Sequence, residues 1–198
     1  MDKPIYSAEL KLVLLGESSV GKSSIVSRLT TGQFQKNNAT IGAAFTTKTI
    51  RVENDTMIKQ VKLEIWDTAG QERYRSLAPM YYRKTDVALV VFDVTDKNTM
   101  SKAQSWIDEL NSYVEQEEAE NLIIKIVGNK IDLSPQLLEY DMEWFPVSAK
   151  TGQGIENLFR LIAEEIPYDK FIQQNTIRAT QENQVNLSSK EVISNCSC

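Results

Sequence analysis

The run Gly16-Glu17-Ser18-Ser19-Val20-Gly21-Lys22-Ser23 fits the pattern G-x-x-x-x-G-K-[ST]. Residues of these types at this spacing handle phosphate. The glycines let the backbone wrap so that successive N–H groups face an anion. A helix opening at Lys22 would turn its positive N-terminus toward the same point. Lys22 supplies a charge for the β- and γ-phosphates, and the Ser23 hydroxyl is suited to Mg²⁺. Ser24 follows directly and belongs to the same cradle as Ser18, Ser19, Val20 and Gly21. The pattern has this meaning only between a strand and a helix.

A second group, Asp67-Thr68-Ala69-Gly70-Gln71, follows the apolar run Val61 to Trp66. Asp67 at a strand end suits support of Mg²⁺, directly or through water. Gly70 can bring its N–H close to a γ-phosphate, and Gln71 can orient a water for in-line attack. By itself D-x-x-G also describes a capped turn after a strand. Thr40 ends the polar stretch Gln35 to Thr40. It could reach Mg²⁺ and a γ-phosphate, but alone it reads as an ordinary loop threonine.

A third group would select a base. Gly128-Asn129-Lys130-Ile131-Asp132 follows Leu122 to Val127. The Asp132 carboxylate can accept from guanine N1–H and the N2 amino group. Adenine lacks both donors and would leave a buried carboxylate unpaired, a penalty that discriminates by roughly 10⁴-fold or more. Asn129 can support base and loop, and the Lys130 stem can lie along the ring. Ser148-Ala149-Lys150 follows Trp144 to Val147. There a backbone N–H, that of Ala149, can donate to guanine O6. Phe34 can stack on the base.

These groups need elements to hold them. Leu10 to Leu15 reads as a buried strand and Lys22 to about Thr31 as a helix, with Gly32 past its end. Residues 44–53 and 58–66 read as a hairpin turned by Asn54-Asp55. Val87 to Phe92 and Leu122 to Val127 are continuous apolar runs, as in strands covered on both faces. Ala103, Trp106, Ile107, Leu110, Tyr113 and Val114 form a helical stripe capped by Asn98 or Thr99. Ile155, Leu158, Phe159, Ile162 and Ile166 form another, stopped by Pro167. Such stripes are core rather than binding surface. Alternating strands and helices predict an α/β sheet with helices on both faces.

Composition excludes several function classes. Histidine is absent, which removes histidine triads, histidine metal sites and histidine general bases. The net charge of -5 offers no basic stripe, so nucleic acid is not an expected partner. The two cysteines, Cys196 and Cys198, stand at the C-terminus and cannot staple a fold. MDKPIYSAEL does not resemble a signal peptide, and no apolar run is long enough to span a membrane.

Five loops thus fall on one edge of an open sheet, where such folds bind ligands. The combination resembles the Ras superfamily of small GTPases over about residues 8–168. Trp66-Asp67-Thr68-Ala69-Gly70-Gln71-Glu72-Arg73-Tyr74 is similar to the Rab family. Gly42-Ala43-Ala44-Phe45 and Ser76-Leu77-Ala78-Pro79-Met80-Tyr81-Tyr82-Arg83 resemble its early-endosomal branch, and Cys196-Ser197-Cys198 its C-x-C ending.

The resemblance implies a P-loop NTPase fold: a six-stranded, mostly parallel sheet with one antiparallel edge strand. It implies a monomer with a GTP-binding domain over 1–168, and Mg²⁺ with GTP or GDP as ligands; the scattered polar composition of 169–198 reads as a mobile tail. Switch I would lie near residues 35–45 and switch II near 70–82. Phe45, Trp66 and Tyr81 match an aromatic trio that meets effectors, although partial burial would also explain them. An exchange factor, a GTPase-activating protein, a prenyl escort and a GDP-dissociation inhibitor are implied partners. Geranylgeranyl chains on Cys196 and Cys198 would place the protein on the cytoplasmic face of endosomal membranes, with a cytosolic pool. Two lipids suit stable anchoring, although incidental exposed thiols would look the same.

The chain departs from the family pattern in two places. The stretch Phe34 to Thr40 is about one residue short. Leu133 to Glu143 is also short for a parallel crossover, so a short helix of one or two turns is expected there, with Ser134 as cap and Pro135 at its first position. Two other classes share some of these signals. A phosphoryl-transfer kinase would carry the phosphate loop but needs no guanine reader. A nucleotide-locked interaction module would not need Gln71.

Overall fold

The computed structural model describes residues 3–35, 38–71, 78–114, 121–134 and 142–174. Strands β1 (Ile5–Leu15), β2 (Ala43–Glu53), β3 (Ile58–Thr68), β4 (Val87–Asp93), β5 (Ile123–Asn129), β6 (Phe145–Pro146) and β7 (Ile172–Gln173) form one sheet. Helices α1 (Lys22–Thr31), α2 (Ala78–Tyr82), α3 (Lys97–Ser101), α4 (Ala103–Tyr113) and α5 (Ile155–Glu165) connect them.

The strand order is β2-β3-β1-β4-β5-β6, with β7 added on β1. The pairs from β3 through β6 are parallel, and β2 lies antiparallel on β3. The hairpin turns as expected. Asn54 Oδ1 accepts from the N–H groups of Thr56 at 3.0 Å and Met57 at 2.9 Å.

The sheet has seven strands rather than the expected six. The reason lies in the length of β1, which starts at Ile5 rather than Leu10. Its neighbour β4 pairs only from Leu12 onward. One edge of the first half of β1 is therefore open, and β7 takes it, with Ser7 opposite Ile172 and Tyr6 opposite Gln173. Phe171, just before β7, is buried. The fold thus runs past residue 168, where the tail was expected to begin.

Side chains alternate across the strands. Leu12 and Leu14 of β1 face α1 and α5, in a core with Ile25, Leu158, Phe159 and Ile162. Val13 and Leu15 face the other side, with Tyr82, Met100, Trp106 and Leu110. That second layer is helical as expected, but differently started and broken. The cap is Asp96, whose carboxylate accepts from the Asn98 N–H at 3.0 Å, not Asn98 or Thr99. The run then breaks at Lys102 into α3 and α4. Thr99 is drawn off by the strand end, donating to Asp96 O and accepting from the Asp93 N–H.

After β5 a 3₁₀ turn covers Ile131–Leu133. The expected short helix from Pro135 lies outside the described residues. No helix among the described residues is long and apolar enough to cross a membrane.

Candidate nucleotide-binding site

The phosphate loop leaves β1 at Leu15 and enters α1 at Lys22, the strand-loop-helix context that its pattern requires. Ser19 is left-handed at φ 65° and Gly21 at φ 99°, which curls the loop so its N–H groups converge. A side chain at Gly21 would meet Asn129 Nδ2 at 2.3 Å. Lys22 is buried, and its Nζ donates to Gly16 O at 2.8 Å and Glu17 O at 3.0 Å. Burial pushes this amine down to about 8, against the pull of the Asp67 and Glu17 carboxylates. A bound phosphate would restore the full charge by supplying a close anion.

Three oxygen-bearing side chains meet beside the loop. Ser23 Oγ lies 2.8 Å from Thr40 Oγ1, which donates to Asp67 Oδ2 at 3.4 Å. Asp67 is buried, and its Oδ1 has no hydrogen-bond partner. Burial raises its carboxyl pKa, opposed by Ser23, Lys22 and Thr40. A buried carboxylate oxygen without a partner needs a cation or a water. Two hydroxyls and one carboxylate are hard ligands of the kind Mg²⁺ takes together with phosphate oxygens. Among the described residues no cluster of three or more His, Cys, Asp or Glu could hold an ion on protein ligands alone. The Ser23, Thr40 and Asp67 oxygens fit Mg²⁺ shared with phosphate. Thr40, ordinary in sequence, belongs to this cluster by position.

Gly70 sits where β3 has run past the phosphate loop. A Cβ there would lie 2.4 Å from Glu17 C, 2.5 Å from Glu17 O and 2.5 Å from Ser18 N. Only glycine fits that approach without moving backbone. Gln71 follows and lines the same cleft.

The base end is tied to the phosphate end by one side chain. Buried Asn129 donates from Nδ2 to Val20 O at 2.9 Å and accepts at Oδ1 from the Ala149 N–H at 3.0 Å. That N–H was expected to face guanine O6; in this structure it is given to Asn129, and a base oxygen would share it. Ser148 is fully buried and donates to Asp132 Oδ1 at 2.6 Å. Lys150 Nζ lies 3.6 Å from Asp132 Oδ2. The carboxylate is therefore aimed from one side and charge-paired from the other.

Lys130 is left-handed at φ 70°, and its Nζ bonds Asp93 Oδ2 at 2.5 Å. This extends its stem along the cleft. Asp93 is a residue the sequence reading missed. Burial pushes its carboxyl up, but bonds from Lys130 and Thr95 outweigh that and hold it below the usual range. The available signal was an acid ending the apolar run of β4, just as Asp67 follows the run Val61 to Trp66 in β3.

Both ends open on one cleft of about 410 Å³. Ser18, Ser19, Gly21, Lys22, Ser23, Ser24, Phe34, Thr40, Gly70, Gln71, Asn129, Lys130, Asp132, Ala149 and Lys150 line it. Val20, Asp67 and Ser148 stand behind the lining and hold it. Asn38, Ala39, Thr68 and Leu133 also line the cleft without having been singled out. The model for the Ras family matches residues 11–168, the span that carries both ends of this cleft. The chain belongs to the Ras family. It is a small GTPase: it binds guanine nucleotide and hydrolyses GTP to GDP and phosphate. It is 41% identical to the GTP-binding protein ypt5 of Schizosaccharomyces pombe, over 99% of this chain and 97% of that one. It is 40% identical to the GTP-binding protein YPT52 of Saccharomyces cerevisiae, over 89% of this chain and 88% of that one.

On this GTPase the aromatic trio is one contiguous patch. Phe45 and Trp66 rings lie 5.2 Å apart edge-on, and Trp66 and Tyr81 lie 5.7 Å apart. Phe45 stays exposed while the Trp66 Nε1 atom is buried with no hydrogen-bond partner. The patch bridges β2, β3 and α2. Cys196 and Cys198 lie outside the described residues.

Proposed function

We propose that this GTPase is a Rab-type switch that controls vesicle traffic at the cytoplasmic face of endosomal membranes. The observation that carries the switch is the convergence of Ser23, Thr40 and Asp67 oxygens with Gly70 packed on the phosphate loop. Thr40 and Gly70 come from the two segments that flank β2 and β3. A γ-phosphate between them would draw both toward the loop, and its loss would release both. When bound, Mg²⁺ would be held by Ser23 and Thr40, with Asp67 behind them through water, and would neutralise charge on the phosphate oxygens. Lys22 and the loop N–H groups bind the phosphates. Asp132, Ala149, Lys130 and Phe34 bind the base. Gln71 orients the attacking water, whose oxygen bonds to the γ-phosphorus as the bond to the β–γ bridging oxygen breaks.

No arginine stands in the phosphate loop, so unaided turnover is slow and a GTPase-activating protein supplies the missing charge. An exchange factor reloads GTP, and effectors read Phe45, Trp66 and Tyr81. Prenyl chains on Cys196 and Cys198 hold the protein on the membrane, and a prenyl escort and a GDP-dissociation inhibitor handle them in the cytosol. Identity to two GTP-binding proteins of the ypt type over nearly the whole chain supports this assignment.

The deciding experiment is single-turnover hydrolysis by Gln71→Leu beside wild type. The variant is expected to bind GTP normally and to stay in the GTP form. Wild-type hydrolysis in the variant would remove Gln71 from the mechanism. The membrane part is separable. Changing both cysteines to serine leaves nucleotide affinity intact and makes the protein soluble, and membrane pelleting of that variant would refute the lipid anchor.

A further inference from the structure

Arg28 projects from the last turn of α1 and makes three bonds to carbonyl oxygens. Its Nε donates to Ala149 O at 2.8 Å, one terminal nitrogen donates to Gly32 O at 2.5 Å, and the other donates to Lys150 O. Its own carbonyl accepts the Gly32 N–H at 3.0 Å, closing the left-handed end of α1. Its stem lies against the next turn of the base loop, where a side chain on Gly152 would come 3.6 Å from Arg28 Cδ.

The carbonyls it gathers belong to two different walls of the cleft. Ala149 and Lys150 form the wall expected to meet the base edge. Gly32 begins the segment that leads to Phe34 on the face of the base. A planar guanidinium can reach all three at once through charge-assisted bonds, and an ammonium cannot. The charge also suits the carbonyl end of a helix. No other side chain among the described residues joins these two walls by hydrogen bonds. Asn129 ties the base loop to the phosphate loop instead.

We infer that Arg28 is a positioning residue for guanine: a strut that fixes the spacing between the Ala149 wall and the Phe34 wall and so sets how long nucleotide stays bound. The inference rests on the reading of the cleft as a guanine site. Arg28 touches neither the phosphates nor the metal ligands. Its loss should open the base end and leave the phosphate end alone.

The test compares wild type, Arg28→Met and Arg28→Lys. Methionine keeps an apolar stem against Gly152 and removes every donor. Release of a fluorescent GDP is measured with excess Mg²⁺, and single-turnover GTP hydrolysis is measured with protein in excess. Release by Arg28→Met should rise roughly ten- to hundredfold, the scale of lost charged hydrogen bonds. Its hydrolysis constant should stay at the wild-type value. Arg28→Lys should fall between, because one ammonium cannot span the three oxygens. Wild-type release by Arg28→Met overturns the strut. So does a change of release and hydrolysis by one common factor, which reports general loosening. If Arg28→Met does not fold, Arg28→Lys decides, and wild-type release there overturns the inference. Failure of wild type itself to prefer GDP over ADP would instead remove the guanine reading beneath it.

Discussion

Ser148 shows how much of a binding site lies behind its visible wall. It does not line the cleft, yet its hydroxyl holds Asp132 Oδ1 at 2.6 Å from a fully buried position. Its own Oγ accepts the Thr151 N–H at 3.0 Å, which fixes the direction of the proton it gives. Ser148→Ala should therefore leave the carboxylate in place but badly aimed. A bond to a charged group is worth about 1.5–3 kcal/mol, so GDP affinity is expected to fall roughly ten- to hundredfold while ATP affinity stays negligible. Titration with both nucleotides checks this. Asp93 makes a second case at this scale. Its pKa lies below the ordinary 3.8, so the unfolded chain takes up that proton first as pH falls. The pair with Lys130 therefore stabilises the fold above about pH 4 and loses its effect as pH drops through the folded pKa. Asp93→Asn should lower the urea midpoint at neutral pH and flatten its decline below pH 4. An unchanged acid limb in the variant would show that Asp93 is not a titrating support.

At the scale of elements, the helical segment after β4 was legible in its stripe but not in its start. Ala103, Trp106 and Leu110 are buried as their spacing requires. Tyr113 is exposed, its ring 5.8 Å from that of Tyr82. The cap could not be picked by pattern, because Asp96, Asn98 and Thr99 are all capping types within one turn. The structure chooses Asp96 since Thr99 is already bonded to the end of β4. Asp96→Ala should cost about 1 kcal/mol of unfolding free energy and leave Asn98→Ala nearly neutral, measured by urea titration. If Asn98→Ala costs more, the assignment of the cap is wrong. The same strand end feeds the site through Asp93, so the cap and the Lys130 support share one backbone.

At the scale of the whole molecule, the sheet separates two ends. The cleft opens beyond the C-terminal end of β1, while β7 pairs at its N-terminal end, some 25 Å away at strand rise. Phe171 is buried there, with the Lys59 ammonium 4.8 Å from its ring centroid and Tyr168 beyond it. Phe171→Ala should cost about 3–5 kcal/mol of stability and leave GDP release unchanged. A change in release by more than a few-fold would mean that the two ends are coupled. Gln174, the last described residue, thus follows β7 at the end of the sheet opposite the cleft.

The sequence by itself determined the chemistry. Read together, G-x-x-x-x-G-K-S, D-x-x-G-Q, N-K-x-D and S-A-K name atoms that suit a guanine nucleotide, and each sits just after an apolar run that reads as a strand. Local pattern suffices there because loop geometry and residue type are set within a few residues. Tertiary structure alone decided what joins those loops. Thr40 reaches Asp67 across 27 positions, Asn129 reaches Val20 across 109, and Arg28 reaches Ala149 across 121. The pairing of β7 with the open edge of β1 is equally non-local. No periodicity records such contacts, because they depend on which strand ends become neighbours when the sheet is assembled.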